Sequence, residues 1–210
     1  MSPYGEHFTH RVAGEPVVFL HGGWGKIAAA ASAEYAIARW QPEVLINLGT
    51  CGGIQGLVQR LDRVLVTRTI VYDIEEAMGD SAEAIAAYTT TIDLSWLDER
   101  FPVRATRAPL LSGDRDLVPS ALAALTRRFP DAVAADWESG AIAYVAARRQ
   151  TRLVILRVVS DLVSPTAGEA HGNLALFQEN AAKGMRLLPD DLKTLVPYAL
   201  SRPPRRSSGS

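Results

Sequence analysis

The stretch Val44-Leu45-Ile46-Asn47-Leu48-Gly49-Thr50-Cys51-Gly52-Gly53-Ile54 decides the fold of this chain. A short, mostly apolar run bounded by glycines is typical of a strand that is buried on both faces, as in the middle of an α/β sheet. The glycines at its carboxyl end predict a sharp turn at which the backbone can come close to a ligand. A tight strand exit without any ligand explains the same pattern.

Apolar, β-branched segments alternate with helical patterns on both sides of this stretch. We predict further strands at residues 16–20, 64–71, 132–135 and 153–159, and one that ends at residue 111. Helical patterns cover residues 26–40, 119–129 and 139–149, and one or two more helices follow up to about residue 200. This alternation predicts a three-layer α/β/α domain with a mixed central sheet over residues 1–200. Residues 201–210, rich in Pro, Arg and Ser, are expected to form a flexible tail.

Composition narrows the class of protein. The 210 residues are 48% apolar and 21% charged with a net charge of −1, which is typical of a soluble globular protein without a general attraction to nucleic acid or anionic membranes. No run approaches the roughly 18 apolar residues of a membrane span, and residues 1–10 lack the apolar core of a signal peptide. The single cysteine, Cys51, excludes an internal disulfide and fits a reducing compartment. We therefore expect a cytoplasmic protein with neither a nucleic-acid nor a membrane partner.

Residues 23–28 carry a glycine pattern that is shared with cofactor-binding folds. Gly23-Trp24-Gly25-Lys26-Ile27-Ala28 matches G-x-G-x-x-A, but a dinucleotide fold also needs an acidic residue at the tip of the next strand, where Leu48-Gly49-Thr50 stands. The dinucleotide site is thus a minor alternative. A P-loop fails, because Ile27 follows Lys26 and Leu20 occupies the place of its first glycine. The four histidines lack the spacing of a metal site, so we expect no cofactor and no metal.

Polar side chains lie at the ends of several apolar segments. Glu138 precedes a predicted helix, where its carboxylate either accepts hydrogen bonds from two neighbouring hydroxyls, such as a ribose diol, or only favours the helix start. Asp161 follows a buried strand, where desolvation would raise its pKa and make it a proton donor, or where it caps a turn. Arg157 interrupts that strand, which is costly unless it meets an anion or another hydrogen-bonding partner. The sequence shows no base that would deprotonate Cys51, which favours a small buried thiol over a nucleophile at this position.

Four segments together resemble the nucleoside phosphorylase and nucleosidase superfamily, specifically its methylthioadenosine/S-adenosylhomocysteine nucleosidases. Residues 45–53 resemble the strand and glycine turn of that family, and Ser112-Gly113-Asp114 resembles its S-G-D segment. Asp136-Trp137-Glu138-Ser139-Gly140-Ala141 is similar to its M-E-x-A helix start, and Leu156-Arg157-Val158-Val159-Ser160-Asp161 to its R-x-x-S-D ending. The matches follow in the right order over roughly residues 14–188.

The resemblance implies hydrolysis of the N-glycosidic bond of a 5′-substituted, adenosine-type nucleoside. Asp161 would protonate N7 of the purine, and Glu138 would hold the ribose hydroxyls as an oxocarbenium-like sugar develops. Thr50 and Arg157 would position the attacking water, Trp137 would pack against the sugar, and the backbone near Leu117 would face the purine edge. The other substrate-binding positions that the resemblance implies are Cys51, Gly52, Asp116 and Ser160. It also implies a homodimer, and the long irregular stretch at residues 72–105 is the expected interface.

Several departures from the family keep alternatives open. Asn47 stands where phosphorylases of the superfamily carry a phosphate-gripping arginine, which favours water over phosphate as the nucleophile. The family begins with a strand and a water-activating acid, whereas the resemblance here starts about one strand later, with Glu6 and the acidic cluster at residues 73–76 as candidates. Asp116 replaces an aromatic residue, and Trp137 a methionine. A purine nucleoside phosphorylase and a catalytically impaired nucleoside-binding protein are the alternatives.

Overall fold

The computed structural model describes residues 2–202 of the chain. Within them the strands are β1 His7–Val12, β2 Glu15–Leu20, β3 Leu45–Ile54, β4 Arg63–Val71, β5 Thr90–Thr91, β6 Thr106–Ser112, β7 Ala134–Asp136 and β8 Leu153–Val163. The helices are α1 Gly25–Trp40, α2 Ser81–Ala87, α3 Pro119–Arg128, α4 Ser139–Arg148, α5 Leu174–Met185 and α6 Leu188–Leu200. Residues 203–210 of the expected tail lie outside the described part of the chain.

The central sheet is mixed and closes on itself. Its strands follow the order β5-β4-β6-β7-β3-β8, and β8 also pairs with β4, so that five strands form a ring to which β5 is added. Strands β4, β6 and β7 run parallel to one another, as do β3 and β8, and the two groups meet in antiparallel pairs. The predicted mixed sheet with flanking helices is confirmed, and it contains the strands predicted around Val44, Val64, Leu110 and Leu153. The closure follows from the twist of the sheet, which no strand pattern reveals.

Helices cover both faces of this sheet because successive residues of its strands point to opposite sides. On β8, Ile155 and Val159 pack with α1 and α4, whereas Leu156 and Val158 lie in a second cluster that includes α6. A third cluster joins α2 and α3 to the ends of β4 and β6. The near-continuous apolar sequence of β8 thus serves two cores at once.

Residues 49–53 do not form the predicted glycine turn. They belong to β3, which continues to Ile54, and none of the glycines among them adopts a positive φ. These glycines instead allow neighbouring side chains to lie close to the strand. A Cβ at Gly49 would collide with the guanidinium of Arg157, and one at Gly53 would lie 2.7 Å from Val58 and Val159. The expected end of the neighbouring strand at residue 159 is also wrong, since β8 runs on to Val163 with a register shift opposite Cys51 and Gly52.

Two other expected segments differ in their setting. The predicted strand at residues 16–20 exists as β2, but within the described part of the chain it pairs only with β1, in a separate hairpin. This hairpin packs through Val17 and Phe19 against Ile46 and Leu48 of β3 and against α6. The stretch 72–105, expected to be irregular, contains the short helix α2 and strand β5. No helix among residues 2–202 has the length and apolar character needed to cross a membrane.

Candidate active site

Arg157 is the centre of a buried polar network in the middle of β8. Its Nη2 lies 2.6 Å from Asp136 Oδ2 and donates to Asn47 Oδ1 at 2.8 Å, and its Nε donates to Ser139 Oγ at 3.0 Å. The Ser139 hydroxyl in turn donates to Asp136. The guanidinium therefore has the anion and the hydrogen-bond acceptors that a charge in a buried strand requires.

The sequence positions this network through three elements. Asn47 and Gly49 are two residues apart on β3 and share its face toward Arg157, and Gly49 leaves the space into which the guanidinium extends. Asp136 ends β7, and its carboxylate also accepts from the backbone N–H of Ser139 at 3.2 Å, which places it at the start of α4. Sequence reasoning noted that Arg157 needs an anionic partner but did not identify Asp136 as that partner.

Glu138 lies at the amino terminus of α4, between two groups that favour its charged form. Its Oε1 accepts a hydrogen bond from the backbone N–H of Gly25 at 3.1 Å, and its Oε2 lies 4.0 Å from Arg157 Nη2. Burial nevertheless raises the pKa of this carboxyl, with the nearby charge of Asp136 acting in the same direction. Because Oε1 is already engaged, Oε2 is the oxygen with more capacity for a further donor.

Asp161 is buried on the last third of β8, after the register shift. The hydroxyl of Ser160 donates to its Oδ1 at 2.6 Å and also lies 3.2 Å from the carbonyl oxygen of Cys51 on β3. Burial raises the pKa of Asp161 above its ordinary value, the Ser160 hydrogen bond opposes this, and the charges of Glu169 and Asp116 add to it. This arrangement favours a carboxylic acid that keeps its proton at higher pH than an exposed aspartate.

Gly52 lies beside Asp161, and Leu117 packs near the ends of the same two strands. Gly52 pairs with Asp161 across the two strands, and a Cβ there would be 3.8 Å from Asp161 Oδ2, an ordinary van der Waals contact. Leu117 is partly buried against Ile54 and Val163, the last residues of the same strands. Asp116, just before it, is exposed.

Among residues 2–202, the side chains of Thr50 and Cys51 make no hydrogen bond to the guanidinium of Arg157. Thr50 follows Gly49, so its side chain leaves β3 on the opposite face, where its methyl lies near Gly184 of α5. The thiol of Cys51 is buried, and burial raises its pKa far above the ordinary value, as expected for a packed thiol and not for a nucleophile. Trp137, between Asp136 and Glu138, is 39% exposed and is therefore accessible at the mouth of the site.

Backbone N–H groups of the glycine pattern at residues 23–28 donate hydrogen bonds to carboxylates. The first two backbone N–H groups of α1 donate to Glu138 and to Asp114, at 3.1 and 2.8 Å. A phosphate at a helix start would need these same donors, so the dinucleotide alternative is wrong. Lys26 and Asp114 each belong to a motif in the sequence, but the hydrogen bond between them could not be predicted, since 88 positions separate them. Among residues 2–202, no group of three or more His, Cys, Asp or Glu side chains is arranged to hold a metal ion.

Comparisons with known proteins point to one family. A curated relative from Maridesulfovibrio salexigens (strain ATCC 14822 / DSM 2638 / NCIMB 8403 / VKM B-1763), named 5′-methylthioadenosine/S-adenosylhomocysteine nucleosidase, is 27% identical over 205 residues, which cover 90% of this chain and 86% of the relative. The solved nucleosidase from Neisseria meningitidis in complex with methylthio-immucillin-A has a TM-score of 0.69 at 20% identity, with 92% of this chain and 84% of the other covered.

The nucleosidase from Colwellia psychrerythraea 34H in complex with adenine has a TM-score of 0.70 at 20% identity and covers 93% of this chain and 81% of its own. At this level of identity, these structures show that the fold is shared. The sequence profile of the phosphorylase superfamily matches residues 3–195. Because this match extends over most of the chain, the protein belongs to the phosphorylase superfamily.

Proposed function

We propose that this chain is a purine nucleosidase that hydrolyses the N-glycosidic bond of a 5′-substituted, adenosine-type nucleoside. The observation that carries the proposal is Asp161, a buried acid with a raised pKa that is held by the Ser160 hydroxyl and lies beside Gly52, a position without a side chain. Purines leave poorly as anions, so a protonated carboxyl that donates to N7 accelerates departure of the base. The name of the Maridesulfovibrio relative supports the same reaction.

In this mechanism the two carboxyl groups have different tasks. Asp161 donates its proton to the leaving purine. Glu138 accepts hydrogen bonds from the ribose hydroxyls, and its negative charge stabilises the oxocarbenium-like sugar. Its anchorage by Gly25 and its distance of 4.0 Å from Arg157 keep the carboxylate in place while the sugar changes charge. Trp137 packs against the sugar, and the backbone at Leu117 and the side chain of Asp116 face the base.

Arg157 completes the proposal as the group that helps to place the attacking water. Thr50 was expected in the same role, but its side chain lies on the face of β3 opposite Gly49, which argues against that role. Because Arg157 is already bound to Asp136, Ser139 and Asn47, its contribution is to hold the start of α4 in place rather than to act as a free donor. Among the acidic candidates for water activation, Asp73 is poorly suited, since both of its oxygens accept from Lys26. Cys51 lines the site through its carbonyl oxygen, which holds Ser160.

Phosphorolysis is the neighbouring reaction, and the geometry disfavours it. Asn47 presents its side-chain oxygen to Arg157, so this position supplies an acceptor and not a cation. The charge of Arg157 is neutralised by Asp136 at 2.6 Å. A phosphate dianion at this point would therefore meet no uncompensated positive charge from either residue.

We further propose a cytoplasmic homodimer that is built from one domain, residues 1–200. Both large cores share β8, which supports a single domain. The stretch 72–105 exposes Met78 completely and Tyr88 by 45%, and exposed apolar side chains in a long connection favour an interface with a second copy. Light scattering at micromolar concentration tests the dimer, and a monomer would contradict it.

A substrate panel tests the reaction. Methylthioadenosine, S-adenosylhomocysteine, deoxyadenosine, inosine and a futalosine-type nucleoside are each incubated with the protein, with and without phosphate, and the products are identified by mass spectrometry. We expect free base and free sugar in both conditions, fastest with the 5′-substituted adenosines. A sugar 1-phosphate would establish the phosphorylase instead. Binding of a nucleoside without turnover would establish the impaired binding protein.

A further inference from the structure

The first turn of α1 is capped by residues that are distant in sequence. Trp24 at the N-cap position makes no side-chain hydrogen bond to the helix. The free N–H of Gly25 donates instead to Glu138, and that of Lys26 donates to Asp114. Since unpaired amides at a helix start need acceptors, the position of this turn and the positions of the two carboxylates depend on each other.

The side chain of Lys26 closes this arrangement into a ring of hydrogen bonds. Its Nζ lies 2.6 and 2.7 Å from the two carboxylate oxygens of Asp73 and 4.0 Å from Asp114 Oδ2. The backbone N–H of Asp114 donates to Asp73 Oδ2 at 2.9 Å. The first turn of α1 and the connections that follow β4 and β6 are thereby joined at one point, with Asp73 largely shielded from water.

Two glycines make this close approach possible. Gly25 has a φ of +80°, and a Cβ there would lie 2.9 Å from Asp114 Oδ1. A Cβ at Gly113 would lie 2.8 Å from the carboxyl carbon of Asp73. Any larger residue at either position would push the loops apart, so the ring depends on local backbone geometry as well as on charge.

We propose that Lys26 is a positioning residue for ribose binding, which acts on Glu138 through the backbone of Gly25. This inference rests on the proposed function, in which Glu138 holds the ribose hydroxyls. Lys26 Nζ bonds to Asp73, and the adjacent N–H at Gly25 fixes Glu138 Oε1. The ion pair thus holds the turn that orients the carboxylate toward the sugar.

Loss of the ammonium would leave the shielded carboxylate of Asp73 without its counter-charge. Asp73 and the backbone N–H of Asp114 that donates to it would then rearrange. The carboxylate of Asp114, which accepts from the N–H of Lys26, would move with them. Gly25 lies one residue before this point, so its hydrogen bond to Glu138 would lengthen or break. Misplacement of a substrate-orienting group by about 1 Å can reduce a rate by about 10²-fold.

The test compares Lys26→Met with the wild-type protein on a ribonucleoside and its 2′-deoxy counterpart. We expect kcat/KM on the ribonucleoside to fall by about 10–100-fold. On the 2′-deoxy substrate, which lacks one of the hydroxyls that Glu138 holds, the loss should be several times smaller. Lys183→Met is the matched control, because it removes another 2.6 Å lysine–carboxylate pair on the exposed side of α5 and should leave both rates unchanged.

A double variant separates positioning from general structure. In a Glu138→Gln background, Lys26→Met should add less than about a threefold loss, because the residue through which it acts is already altered. Equal losses on both substrates, or full additivity with Glu138→Gln, would overturn the inference while leaving the proposed function intact. If Lys26→Met does not fold, Asp73→Asn tests the same ion pair from the other side. A wild-type protein that neither binds nor hydrolyses any nucleoside would instead refute the proposed function and, with it, this role for Lys26.

Discussion

The guanidinium of Arg157 lies 2.6 Å from the carboxylate of Asp136, and the two side chains are only 5% and 2% exposed. Neither charge could be buried at this point alone without a large loss of solvation. Ser139 joins the pair, since its hydroxyl accepts from Arg157 and donates to Asp136. The middle of β8 is thus joined to the start of α4, and with it to Glu138, by a polar network.

Asp136→Asn should destabilise the protein by about 3–5 kcal/mol, because it leaves Arg157 as an uncompensated buried charge. Urea unfolding measures the change in the free energy of unfolding. The matched control is Asp131→Asn, which breaks a pair with Arg68 of the same 2.6 Å length between side chains that are 53% and 37% exposed. That loss should stay below about 1 kcal/mol. Equal effects of the two substitutions would contradict the structural role of the buried pair.

Gly49→Ala should reduce stability by about 1–3 kcal/mol, because the added methyl group collides with the guanidinium of Arg157 and forces the strand or the network to shift. Gly52→Ala is the matched control on the same strand, where the nearest atom, Asp161 Oδ2, would be 3.8 Å from the new Cβ. Its stability should change little. Thermal unfolding of both variants distinguishes close approach at Gly49 from a general preference for glycine in β3.

Asp161→Asn should lower kcat by about 10²–10⁴-fold, since the amide keeps the shape of the side chain but cannot deliver a proton. Substrate binding should suffer less, because the amide N–H can still donate to N7 of the purine. Glu138→Gln should instead weaken both sugar binding and turnover. Steady-state kinetics on the best substrate of the panel measures both variants. Near-wild-type kcat for Asp161→Asn would show that this aspartate has only a structural role.

The pH dependence follows from the raised pKa of Asp161. A proton donor acts only while protonated, so kcat/KM should fall as pH rises through this pKa, and Asp161→Asn should abolish that fall at alkaline pH.

The raised pKa of Asp161 also makes stability depend on pH. The folded chain binds the proton more tightly than the unfolded chain, so ionisation at higher pH lowers stability. Asp161→Asn should therefore be at least as stable as the wild type at pH 7–8, with the difference vanishing at acidic pH. Urea unfolding across this pH range measures it, and a variant less stable than wild type at pH 8 would contradict the assignment.

Parts of the site could be predicted because they depend on short segments. Residues 153–161 combine an apolar strand with Arg157 and Asp161. Burial of either of these two charged side chains costs free energy unless it has a specific partner. The raised pKa of Asp161 and the buried thiol of Cys51 agree with expectations based on burial alone. The mixed sheet is confirmed for the same reason, because strand and helix periodicities are local properties.

The partners of those residues could not be predicted. Asp136 and Arg157 are 21 positions apart, while 47 positions separate Lys26 and Asp73. The glycines of β3 were interpreted as a turn because glycine permits positive φ, whereas here they leave space for Arg157 and Val159. Local sequence cannot distinguish these two uses of a missing Cβ.

The sequence by itself determined the alternation of strands and helices, the burial of β8, and the superfamily, since each of these depends on contiguous residues and their order. Only the tertiary structure decided that the sheet closes through β4 and β8, that Arg157 is neutralised by Asp136, and that the start of α1 is held by Glu138 and Asp114. The physical reason is that closure and ion pairing bring together groups from distant strands and loops. Their distances depend on the twist of the whole sheet, to which every strand contributes.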